Sequence, residues 1–94
     1  MLEQEPDDTF LQYAIAMEYF SANDFEKALA CLKNIIVNKP DYLAAYYQTG
    51  KCHEELKQFE EAKSVYEKGV ELAQKQNKTK TGNELREALF LLED

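Results

Sequence analysis

Apolar residues recur at helical spacing along most of the chain, broken at regular intervals by short polar stretches. Leu11, Ile15 and Tyr19 fall on one side of a first helix. Phe25, Ala28, Leu29, Leu32 and Ile36 form the stripe of a second. The break between them covers residues 21–24, where Asn23 followed by Glu26 has the form of a capping box that satisfies orphan amides, so the second helix is expected to start near Asp24. Pro40 cannot continue a helical hydrogen-bond ladder, and Asp41 can cap the helix that follows. Third and fourth helices are then expected at about 41–55 and 59–77. Polar residues 76–80 lead to a fifth at about 83–93, its start signalled by Thr81 with Glu84 and its stripe formed by Leu85, Ala88, Leu89 and Leu92.

Laid on itself, the sequence shows a period of 34 residues. Pro6 pairs with Pro40, Asp7 with Asp41, Tyr13 with Tyr47, Phe25 with Phe59, Glu26 with Glu60 and Ala28 with Ala62, all identical. Ala16 meets Gly50, Leu32 meets Tyr66 and Ile36 meets Val70. A fixed period in this range marks units that bury their apolar faces by stacking on one another. The reading is a single domain over 1–94, with a first repeat at about 7–40, a second at about 41–76 and a capping helix at about 81–93.

Composition narrows the function classes. With 45% hydrophobic and 31% charged residues in 94, the chain has enough apolar surface for one modest core. Three glycines and two prolines are too few to punctuate an all-β chain. A formal net charge of -7 would repel a polyanion, so nucleic acid is not expected as a partner. No apolar run approaches a spanning helix and the first residues lack a secretory pattern, so no membrane association is expected and the cytoplasm is the expected compartment. Cys31 and Cys52 lack metal-type spacing and read as small packing residues.

Ile15 with Ala16, then Tyr19, Ala28, Leu32 and Pro40, and in the second unit Tyr46, Gly50, Ala62 and Tyr66, follow one pattern: a large apolar residue beside a small one, an aromatic, an alanine, a bulky residue and, in the first unit, a closing proline. In this the chain resembles the tetratricopeptide repeat family over nearly its whole length. Thr49, His53, Gly69 and Gln74 depart from the family's commoner Leu, Tyr, Ala and Pro. The resemblance implies an all-α fold of antiparallel helical hairpins stacked as a short right-handed solenoid of about five helices. It also implies a non-catalytic module, an adaptor that binds a protein or peptide segment in a groove lined by the first helix of each hairpin.

The residues themselves offer little chemistry. The only histidine, His53, aligns with Tyr19 and reads as packing; adjacent acidic pairs such as Glu54 and Glu55 point about 100° apart on a helix and read as solvated faces. No enzyme activity, cofactor, metal or small-molecule substrate is expected. The first helix, however, carries two apolar stripes where its own hairpin needs one. Leu11, Ile15 and Tyr19 are expected to pack on the second helix, leaving Phe10, Tyr13, Met17 and Phe20 for the groove. Their second-repeat equivalents are Ala44, Tyr47, Lys51 and Glu54. Tyr13 and Met17 stand where the family's carboxylate clamp has its polar residues, so a receptor for chaperone tails is not implied. The bland reading of the second stripe is cover by residues 1–7 or the third helix. A rival function is self-assembly as a homodimer or oligomer through the fifth helix, where Phe90 and Leu91 lie off the Leu85–Leu89–Leu92 stripe.

Overall fold

The structure, a computed structural model, describes residues 8–93. Pro6 and Asp7 of the repeat alignment, and the N-terminal segment considered as a cover for the groove, lie outside the described residues. Five α-helices follow one another: α1 Thr9–Ser21, α2 Phe25–Asn38, α3 Leu43–Glu55, α4 Phe59–Gln76 and α5 Thr79–Leu92. Each packs on the next in sequence, because connections of a few residues force consecutive helices antiparallel and side by side. The result is an elongated stack of hairpins, 49 × 30 × 18 Å, with no strand among the described residues.

The caps differ from expectation in an instructive way. At α1 the Asp8 carboxylate accepts from the Leu11 amide at 3.1 Å. At α2 the cap is Asp24, whose Oδ1 accepts from the Lys27 amide at 3.4 Å; Asn23, expected as the cap in a box with Glu26, takes a left-handed turn with φ 64°. One repeat later Lys57 does the same with φ 63°. The chain reverses inside each hairpin by one left-handed residue, a conformation asparagine tolerates better than lysine. Asp41 does not cap α3 with its side chain; Tyr42 is the cap residue, and the Asp41 carbonyl instead accepts from Gln76 Nε2 at 2.8 Å, tying the end of α4 to the junction of the two repeats. Helix α5 begins at Thr79, not near Asn83. Thr81 and Glu84 do not cap it, since with Gln74 in place of a proline α4 runs on to Gln76, and left-handed Asn77 (φ 57°) then reverses the chain at once.

Two clusters form the core. Ala16, Ala28, Leu32, Ile35, Ala45 and Cys52 fill the first; Ala62, Tyr66, Ala73, Leu85 and Ala88 fill the second. The small residues predicted from the pattern are fully buried, and the two repeats solve the same contact with different volumes. The first repeat places Ala16 and Leu32 where the second places Gly50 and Tyr66. A methyl group on Gly50 would lie 2.1 Å from Cε1 of the Tyr66 ring, so glycine is what admits the larger partner. The Tyr66 hydroxyl ends in a 2.5 Å hydrogen bond to Glu54 Oε2, which places the one polar atom of a fully buried ring.

Helix α1 departs from the expected packing. Tyr13, Tyr19 and Phe20 lie against the first core cluster, whereas Leu11 and Ile15, expected to cover α2, are 37% and 43% exposed. The 100° step explains it: Ala16 must face α2, and Phe20 and Tyr13 share its side while Leu11 and Ile15 are turned away from it.

Candidate protein-binding surface

Helices α1, α3 and α5 converge on a cleft of about 430 Å³ lined by Tyr13 from α1, Leu43, Ala44, Tyr47 and Gln48 from α3, with Lys78, Thr81 and Glu84 from the start of α5. Three of the eight residues assigned to the groove from sequence, Tyr13, Ala44 and Tyr47, are brought together here. The Tyr13 ring is held by Tyr42, centroids 5.6 Å apart, and Tyr47 lies 6.2 Å from Tyr66. Burial, with Tyr42 beside it, raises the Tyr13 phenol above its usual range, so Tyr13 enters the cleft as a neutral hydrogen-bonding ring. Lys51 lies with Nζ 5.3 Å from the Tyr47 centroid, extending the aromatic wall with a positive charge.

The other assigned residues are placed elsewhere. Glu54 accepts the Tyr66 hydroxyl and anchors the core, and Phe20 stands edge-on to Phe25 with centroids 5.1 Å apart. Met17 is half-buried, and Phe10 is 77% exposed at the start of α1. Sequence reasoning missed Leu43, Gln48, Lys78, Thr81 and Glu84. Gln48 follows Tyr47 directly, and the α5 residues become visible once the helix is started at Thr79 and its first turn swings towards α3. The carboxamide oxygen of Gln48 is buried and has no hydrogen-bond partner among the described residues, an acceptor at the cleft wall.

Two solved structures similar to this one are of tetratricopeptide repeat domains. A tetratricopeptide repeat domain protein from Salinibacter ruber, determined in solution, is 32% identical with a TM-score of 0.89, over 96% of this chain and 91% of that one. A crystal structure of a tetratricopeptide repeat domain protein from the same organism is also 32% identical, with a TM-score of 0.85 over 90% and 96%. Residues 1–69 match the model of the family described as anaphase-promoting complex, cyclosome, subunit 3. The chain belongs to this tetratricopeptide repeat family. A Bordetella parapertussis protein at 24% identity, TM-score 0.84 over 93% of this chain and 76% of that one, shares the fold. No curated protein matches the sequence.

Tetratricopeptide repeats are, as a family, protein-interaction modules and generally not catalysts. His53 is 5% exposed, with Nδ1 2.8 Å from Gln58 Oε1 across the hairpin turn. Cys52 is fully buried and its thiol is pushed up to about 11 by desolvation and the nearby Glu55 carboxylate, the opposite of a reactive cysteine. Among the described residues no group of three potential ligands could hold a metal, and no helix is long and apolar enough to cross a membrane.

Proposed function

We propose that this tetratricopeptide repeat is an adaptor whose α1–α3–α5 cleft takes an extended segment of another protein. The observation that carries the proposal is the composition of the cleft: two tyrosine rings for an apolar anchor, with Lys78 and Glu84 to set direction. Tyrosine gives a large, rigid contact area with a polar tip that can bond an incoming backbone. Lys51 extends the same side over the Tyr47 ring, and Glu54 holds the Tyr66 ring that stands beside Tyr47. The expected partner is a protein or peptide in the cytoplasm, with no nucleic acid, cofactor or small-molecule substrate involved.

The test is capture from the native lysate by wild type and by a Tyr13→Ala, Tyr47→Ala variant shown by circular dichroism to be folded. A protein held by wild type and lost by the variant supports the cleft; equal capture of every protein refutes it. The second reading, self-association through α5, is favoured by Phe90 and Leu91, each 73% exposed on the last helix of the stack.

A further inference from the structure

The 34-residue period lets the two hairpins be compared position by position, and the comparison exposes a surface on α1. Leu11 and Ile15 are 37% and 43% exposed, while their equivalents Ala45 and Thr49 are 0% and 2% exposed. The small depression formed by Gln12, Ile15, Cys31 and Asn34 between α1 and α2 maps, residue for residue, onto Tyr46, Thr49, Val65 and Lys68. Those four line a groove in the second repeat whose facing wall is α2, which contributes Ile36 and Val37. The exposed face of α1 is thus the repeat image of the face of α3 on which α2 packs. The sequence of α1 agrees, because Glu18 is its single charged residue in 13, and a helix apolar on all sides belongs in an interior.

The chain itself holds a helix suited to that seam. Helix α5 has 14 residues like α2, and its exposed Phe90 stands two residues before its last, as Ile36, which packs against the first core cluster, stands in α2. We infer that copies of this chain associate head to tail, the Phe90–Leu91 end of α5 in one copy lying on the Leu11–Ile15 face of α1 in the next, as α2 lies on α3 within a copy. The inference rests on the self-association reading above for the α5 half of the contact and adds the receiving face. A heterologous contact of this kind builds a ring where its rotation closes and a filament where it does not, so association goes past two chains.

Sedimentation of wild type, Ile15→Lys and Phe90→Lys, each alone and then the two variants mixed in equal amounts, tests it. Both substitutions are at exposed positions, and Leu11→Lys and Leu91→Lys replace them should either variant lose its helical dichroism. The expected result is a wild-type mass that climbs with concentration past two chains, single-chain mass for each variant alone, and two-chain mass on mixing, since the mixture restores one good pair of edges. If Ile15→Lys alone still forms a two-chain species that Phe90→Lys abolishes, α5 pairs with α5; self-association then survives and the head-to-tail contact does not. A two-chain species kept by Phe90→Lys but lost by Ile15→Lys points to pairing through α1 and overturns it equally. A wild type of single-chain mass at every concentration removes both.

Discussion

Replacing Gly50 with alanine is the sharpest probe of how the second hairpin is packed, because two general rules give opposite signs for it. Within a helix, glycine to alanine ordinarily gains about 1 kcal/mol from backbone entropy. Here the new methyl would meet three ring carbons of Tyr66 at 2.1, 2.4 and 2.6 Å, against an optimum of roughly 3.5–4.0 Å between carbons. The ring is fully buried and its hydroxyl is bonded to Glu54, so it cannot swing into solvent without breaking that bond. Overpacking of this kind costs ~1–3 kcal/mol, and a clash with a rigid ring belongs at the upper end. After subtracting the propensity gain, Gly50→Ala should lose about 1–2 kcal/mol. In a urea titration followed by far-ultraviolet dichroism, with a slope of roughly 1–3 kcal/mol per molar, the midpoint should fall by ~0.5–1 M.

The first repeat supplies the control. Its Ala16 and Leu32 occupy the same two positions and are both fully buried, so Gly50→Ala with Tyr66→Leu installs a pair the fold already uses. Tyr66→Leu alone removes ring volume and leaves Glu54 without its donor, a loss of ~2–4 kcal/mol. The double variant should be less destabilised than the sum of the singles by at least about 1 kcal/mol, a coupling expected only of residues in contact. A Gly50→Ala protein as stable as wild type, or single effects that simply add, would refute the account of Gly50 as the space for Tyr66.

Three further outcomes follow from the geometry. Lys57 holds a left-handed conformation that costs a side-chain-bearing residue ~1–2 kcal/mol, so Lys57→Gly should stabilise by about 0.5–1 kcal/mol net of the glycine entropy and raise the thermal midpoint by a few degrees. A lower midpoint would show that this turn is not strained. The Cys52 thiol, with its pKa moved from 9.0 to about 11, holds its proton more tightly in the folded state, so its contribution is complete below pH 9 and is lost as the pH rises towards 11. The unfolding free energy from denaturant titrations should therefore drop between pH 8 and 10 by on the order of 1 kcal/mol for this group, and Cys52→Ala should flatten the drop. Tyr66, raised by burial and by its bond to Glu54, acts in the same direction at still higher pH. Tyr46→Phe removes the 2.5 Å hydrogen bond to the Pro40 carbonyl at the repeat junction and should cost ~0.5–1.5 kcal/mol by the same titration.

The sequence alone determined the all-helical stack, because the 34-residue period, the apolar spacing and the proline at the repeat boundary are local signals that agree with one another. It also picked out the small residues at close helix approaches: Ala16, Ala28, Gly50 and Ala62 are all buried. Tertiary structure decided what a helical wheel cannot, namely which of several apolar faces of α1 finds a neighbour. Tyr13 and Phe20 reach the core and Leu11 and Ile15 do not, since that depends on where α2 lies and on the first repeat having no hairpin before it among the described residues. The composition of the cleft was hidden for a related reason. A polar stretch at 76–80 reads as linker, yet a single left-handed residue, Asn77, turns it directly into α5 and carries Lys78, Thr81 and Glu84 up to Tyr47 and Gln48. Period and amphipathicity fix which helices exist; the reversal angle at one residue fixes what they surround.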